Sequence, residues 1–216
     1  MTRRIETRRD FLKQASIALA LPLAFGCRSD SAAQVSDDKL LDRIKANANP
    51  NPSDDYWGAR HAPSGVAWRT KLSSESDKSE KIVISGTIYK VDGKTAAPNT
   101  LIYLYHTDVY GIYGRAGEHR HGRYRGWMLT DAQGRYEFES ILPASYPNST
   151  IAKHIHMTLT TEDKREESAD SILFDGDKFL TPRDRTIGRG GFDPVLKMVK
   201  GRDGVMRGIR DIRLWV

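Results

Sequence analysis

A chain of 216 residues with 38% hydrophobic and 29% charged side chains has enough apolar material for one packed domain, and its composition excludes a disordered or fibrous protein. The net charge is +6, but residues 1–26 carry five basic side chains against two acidic ones and account for half of it. The modest remainder predicts no nucleic-acid partner. A single cysteine, Cys27, excludes an intrachain disulfide.

The N-terminus reads as an address. Thr7-Arg8-Arg9-Asp10-Phe11-Leu12-Lys13 matches the twin-arginine export motif, and an apolar run follows from Ala15 to Phe25, interrupted only by Ser16. That run is too short to span a bilayer, and its Leu, Ala and Ile cover every helical face, which argues against a cytosolic amphipathic helix. Residues 1–26 are therefore expected to be a cleaved export segment. Gly26-Cys27 offers a lipoprotein-type processing site, so lipidated Cys27 is one anchor to the membrane and plain cleavage nearby is the other reading. Both place the protein in the periplasm or cell envelope. Twin-arginine substrates cross already folded, which suits a protein that must take up its metal before competing ions reach the site.

Residues 27–80 read as linker and covering loop, with one short helix around Asp37 to Ala46. From Lys81 the pattern changes to short β-branched and aromatic runs. Strands are predicted over 82–89, 101–105, 135–139, 154–160, 171–174 and 209–216, with turns at Asp92-Gly93 and Asp131 to Gly134. Many short strands with hardly any helical periodicity predict an all-β fold, an antiparallel β-sandwich over residues 81–216.

Four segments carry chemistry. In His154-Ile155-His156, strand alternation projects both imidazoles to one face, where they can share a metal. In Pro143-Ala144-Ser145-Tyr146-Pro147, the proline restricts Tyr146 to extended backbone and gives its phenol a fixed direction. The third is Tyr105-His106-Thr107-Asp108 followed by Gly111-Ile112-Tyr113, and the fourth is Gly126 to Phe138, containing Thr130-Asp131-Ala132-Gln133-Gly134-Arg135-Tyr136. Singly, each has an ordinary structural explanation.

In this order and spacing the four resemble the intradiol ring-cleavage dioxygenases, over about Lys81 to Asp177. The resemblance implies an iron(III) ion held by Tyr113, Tyr146, His154 and His156, with Tyr146 leaving the metal to take a substrate proton. It implies O2 and a small aromatic diol as partners, and a muconate-type product. Two phenolates and a hydroxide would balance the charge of such a hard cation, which ionises phenols whose free pKa is about 10.

The sequence departs from the family pattern at two places. Ile151 stands where members carry an arginine three residues before the first histidine, and Ser171 stands where they carry a glutamine. Loss of such a preorganised donor can cost on the order of a hundredfold in rate. Arg125 or His106 is expected to face the substrate in their stead. The basic segment Arg183 to Arg202 reads equally as a partner for an acidic ring substituent or as solvated surface. Two other readings stay open: a copper or zinc site joining His119 and His121 to His154 and His156, and a β-sandwich binding protein with a retained but inactive metal site. A cupin lacks its acidic ligand. The oligomeric state is not legible.

Overall fold

The β-branched and aromatic runs form strands close to where the sequence places them. In this computed structural model, which describes residues 38–51 and 57–215, helix α1 spans Asp38–Lys45 and twelve strands follow. They are β1 (Arg69–Lys71), β2 (Lys81–Tyr89), β3 (Leu101–His106), β4 (Arg125–Leu129), β5 (Arg135–Ile141), β6 (His154–Thr160), β7 (Glu167–Ser168), β8 (Ile172–Phe174), β9 (Val195–Leu196), β10 (Val199–Lys200), β11 (Met206–Ile209) and β12 (Ile212–Arg213). The export segment and Cys27 lie outside the described residues.

The strands make two sheets. One has the order β1-β5-β2-β11-β10, with β12 also on β2; the other has the order β4-β3-β6-β8-β9, with β7 on β6. The long ladders β2–β5, β3–β4 and β3–β6 are antiparallel, as expected for a sandwich. Short parallel pairings join them at β1–β5, β2–β11, β2–β12 and β8–β9, so the sheets are mixed rather than purely antiparallel. The chain reaches these positions through long irregular connections, which free it from hairpin geometry.

Period-2 alternation decides what each sheet buries. Ile82, Ile84, Tyr136 and Phe138 of the first sheet meet Ile102, Leu104, Met128, Ile155, Met157 and Ile172 of the second in one dry core, all fully buried. Each such aliphatic side chain stabilises the fold by roughly 1.5–3 kcal/mol relative to exposure. The opposite face of the second sheet is also covered. Leu101 and Leu129 pack there against Leu41 and Ile44 of α1 and against Ala59, Ala62 and Val66. Strand β3 is therefore buried along its whole length. The helix expected around residues 37–46 is present, and the stretch 56–80 does more than cover: it supplies β1 and part of this second apolar cluster.

Candidate metal centre

The donor cluster is built on the outer face of the second sheet. Residues opposite one another in a ladder share a face, so the pairing Tyr105↔His156 puts His156 with Tyr105, Tyr103 and Leu101, away from the inter-sheet core. His154 follows by alternation, and Ile155 between them is fully buried in the core. His154 Nδ1 lies 2.7 Å from the Ala152 carbonyl, which can only accept, so Nδ1 carries a proton and Nε2 is the ring nitrogen turned to the cluster. The His156 pKa is lowered to about 3 by burial, reinforced by His154 and His121, and its imidazole is neutral near pH 7.

Two loops bring the phenols. After β3, Asp108 Oδ1 accepts the amides of Tyr110 and Ile112, curling the chain so that Tyr113 turns back. This loop is laced to the segment before Tyr146: Thr107 Oγ1 donates to the Ala144 carbonyl at 2.6 Å, and the Ala144 amide donates to Asp108 at 3.1 Å. Gly111 makes the close approach feasible. Its φ is 76°, and a Cβ there would sit 2.0 Å from the Ser145 carbonyl oxygen.

Four donor atoms meet as a result. Tyr113 Oη and Tyr146 Oη are 2.5 Å apart, and Tyr146 Oη lies 3.0 Å from His154 Nε2 and 3.4 Å from His156 Nε2. The two Nε2 atoms are 3.1 Å apart. Such separations suit ligands around one ion with bonds of about 2 Å, and the mixed phenol and imidazole set suits a hard, highly charged cation. Tyr146, His154 and His156 also line a cavity of about 500 Å³, open to solvent, whose other walls include Ile151, Ser171, Leu173, Arg183 and Pro194. Tyr113 is not among the lining residues. Both departures from the family pattern, Ile151 and Ser171, are on this wall.

The two substitutes expected for the missing donors are elsewhere. His106 pairs with Ile155, so alternation turns it into the core, the face opposite His156. It is fully buried, with Nδ1 2.7 Å from the Thr107 carbonyl and Nε2 2.7 Å from Ser140 Oγ of β5, and it bridges the sheets. Burial lowers its pKa to about 4. Arg125 is on the correct face, but β3 separates its strand from β6, and its guanidinium donates to the Gly122 carbonyl. Neither lines the cavity, so the expectation that one of them faces the substrate is corrected.

The second H-x-H has a different place as well. His121 lies flat on Tyr105 (centroids 3.8 Å apart, planes within 4°), and Tyr105 stacks in turn on His156 at 4.8 Å. His121 Nδ1 is 2.5 Å from the buried Tyr103 hydroxyl, whose own pKa burial pushes up, so the phenol donates. His121 thus braces the ring behind His156. Among the described residues no group of three or more His, Cys, Asp or Glu side chains is gathered for a metal, so the four-histidine copper or zinc site is not formed. Alternation in β3 and its pairing with β6 made this brace readable in principle; the position of the 114–124 loop did not follow from the sequence.

Fold and site together define a β-sandwich protein with a phenol and imidazole donor cluster at the edge of an open cavity. The family model described as Dioxygenase matches residues 56–188. Catechol 1,2-dioxygenase of Acinetobacter baylyi is 28% identical over 103 residues, covering 46% of this chain and 33% of the relative. The protocatechuate 3,4-dioxygenase beta chain of Burkholderia cepacia is 29% identical over 136 residues, covering 53% of this chain and 57% of the relative. The chain thus spans from a third to somewhat over half of these relatives. Among solved structures, the dioxygenase domain of a carbohydrate-binding fusion from Streptomyces sp. SirexAA-E matches with a TM-score of 0.53 at 23% identity, covering 68% of this chain and 88% of that one. Catechol 1,2-dioxygenase of Acinetobacter sp. ADP1 matches with a TM-score of 0.55 at 21% identity, covering 68% of this chain and 56% of that one. The chain belongs to the intradiol ring-cleavage dioxygenase family.

Proposed function

We propose that Tyr113, Tyr146, His154 and His156 hold one iron(III) ion, and that the protein uses O2 to open an aromatic ortho-diol between its two hydroxyl-bearing carbons, giving a muconate-type diacid. The observation that carries this reading is the meeting of four donor atoms, from three separate segments, 2.5–3.4 Å apart beside the cavity. Bound there, iron(III) would act as a Lewis acid toward the diol oxygens and lower the pKa of the phenols.

The residues divide the work by position. Tyr146 Oη touches the three other donor atoms, and Tyr146 also lines the cavity, so it is the phenol an entering diol meets first. Its oxygen is placed to accept the diol proton as a general base. Tyr113, away from the cavity wall, keeps its place. His154 is oriented with Nε2 toward the cluster by its Nδ1 bond to Ala152, and His156 is held by the Tyr105 stack. Leu173 and Pro194 offer apolar surface to the aromatic ring.

A second reading, a retained metal site without turnover, is favoured by Ile151 and Ser171 in place of the family's arginine and glutamine. Reconstitution with iron(III) separates the readings. Phenolate-to-iron charge transfer colours the protein red-brown in both, whereas O2 uptake with catechol, protocatechuate or hydroxyquinol occurs only in an enzyme. A protein that stays colourless with iron(III) refutes the metal site.

We also place the protein in the cell envelope, exported through Thr7 to Lys13 and held by lipidated Cys27. Membrane fractionation of wild type and Cys27→Ser tests this: release of the variant into the soluble fraction supports the anchor, and equal distribution refutes it.

A further inference from the structure

A series of buried rings leads away from the donor cluster. Tyr103 and Tyr105 are two residues apart in β3, so both rings stand on the face that carries His156. Each is only 2% exposed, and His121, 5% exposed, packs against both. Tyr105 stacks on His156 with centroids 4.8 Å apart, and Tyr103 follows Tyr105 at 5.7 Å. Trp127, opposite Tyr103 in the ladder to β4, follows at 5.1 Å. Adjacent π-systems at such separations hand an electron from ring to ring.

Tyr103 also has a base for its proton. Its hydroxyl donates to His121 Nδ1 at 2.5 Å. Burial lowers the His121 pKa to about 4, helped by His119, Arg120 and Arg125, so the imidazole is neutral near pH 7 and Nδ1 offers a lone pair. Tyr136 shows the contrast. It is fully buried as well, but its hydroxyl donates to the Arg210 carbonyl, which cannot hold a proton near neutral pH. A phenol that loses an electron and keeps its proton becomes a radical cation, so strong an acid that even a weakened imidazole takes the proton. An imidazole already at hydrogen-bond distance lets proton and electron leave together, and the positive charge settles on the imidazolium instead of the phenol ring.

We propose that Tyr103 and His121 form a proton-coupled redox pair that draws one-electron oxidation away from the donor cluster through Tyr105. The oxidant is an oxygen-centred radical that reaches the cavity, of the hydroperoxyl or hydroxyl class. It gains one electron and, with a proton from water, ends as hydrogen peroxide or water. Tyr103 supplies that electron by way of Tyr105, and its hydroxyl proton passes to His121 Nδ1, leaving a neutral phenoxyl and an imidazolium. The groups protected are the phenols of Tyr113 and Tyr146 and the imidazoles of His154 and His156. The pair stands on ring geometry and does not rest on the ring-opening reading.

The test is photo-oxidation of the iron(III)-loaded protein with flash-excited tris(bipyridine)ruthenium and persulfate, read by electron paramagnetic resonance. A Tyr110→Phe background removes a phenol that is 68% exposed. The parent protein gives a phenoxyl signal whose hydrogen-bond proton splitting disappears in heavy water. Tyr103→Phe loses the signal. His121→Gln, which keeps a hydrogen-bond acceptor but no base, loses it too, whereas Tyr146→Phe keeps it. A signal that survives in Tyr103→Phe or in His121→Gln overturns the pair. So does a parent signal without the exchangeable splitting, a measurement that needs neither variant to fold. In a second arm, parent and Tyr103→Phe are exposed to radiolytic hydroxyl radicals, and oxidation of Tyr113, Tyr146, His154 and His156 is read by mass spectrometry. Oxidation of these residues rises in Tyr103→Phe; equal oxidation overturns the protective role. A protein that stays colourless with iron(III) yet gives the Tyr103 signal ends the metal reading and leaves the pair standing.

Discussion

Substituting alanine for Gly111 separates the two loops that present Tyr113 and Tyr146. Gly111 has φ 76°, a left-handed conformation that costs an L-residue roughly 1–2 kcal/mol. The new Cβ would also sit 2.0 Å from the Ser145 carbonyl oxygen, where real Cβ contacts stay above 3.0 Å, so the loops must part by about 1 Å. That movement strains the Thr107–Ala144 and Ala144–Asp108 hydrogen bonds, each worth about 0.5–1.5 kcal/mol net. The combined loss is about 2–4 kcal/mol, a fall in Tm on the order of 5–15 °C for a domain of this size. Tyr113 moves with its loop, so the phenolate charge-transfer band on iron(III) titration weakens. Gly117→Ala is the control: its φ is 87°, but nothing lies within 4 Å of the added Cβ, so it meets only the backbone strain and keeps the full band. Thermal melts and iron titrations that give the same result for the two variants refute the idea that loop contact positions Tyr113.

Tyr146→Phe keeps the ring and removes the oxygen at the centre of the donor cluster. Turnover of any diol, read with an oxygen electrode, falls at least a hundredfold, the lower range of general acid–base effects, while the melting temperature stays near that of wild type. Ile151→Arg restores a guanidinium to the cavity wall; Ile151 is 53% exposed, so the longer side chain fits without burial, and kcat for catechol rises on the order of tenfold. Buried His106 makes the metal-free protein acid-sensitive. Its folded pKa is depressed from 6.5 to about 4, so the unfolded chain binds the extra proton between those values, and stability is full above pH 6.5 and lost as pH falls through about 4. At about 1.4 kcal/mol per pKa unit this one residue accounts for on the order of 3 kcal/mol, and His106→Gln flattens the pH dependence of urea unfolding over that window.

The strands were legible because alternation of β-branched and aromatic residues is a local signal. The runs at 82–89, 101–105, 135–139 and 154–160 all form strands within two residues of their expected ends. Strand β12 falls inside the run expected over 209–216, but β1, β9 and most of β11 were not legible, since they find partners far away in sequence and have only two to four residues each to signal it. His106 shows the same limit in the site. Its place next to Tyr105 made it look close to the chemistry, yet one step along a strand reverses the face and buries it against Ser140. Arg183 was visible only as part of a basic stretch. What the structure adds is that it lines the cavity, whereas Arg185 and Arg189 pair with Asp175 and Glu167, a matter of three-dimensional neighbours.

By itself the sequence determined the sandwich class, the family and the residue types of the candidate centre, because side-chain alternation, proline and glycine constraints and motif order act over a few residues. Only the tertiary structure decided that Tyr113, Tyr146, His154 and His156 meet, that Ile151, Ser171 and Arg183 share one cavity, and that His106 and Arg125 do not reach it. Those facts depend on how distant segments pack, and packing is set by the summed burial of two sheets and a helix rather than by any single stretch of chain.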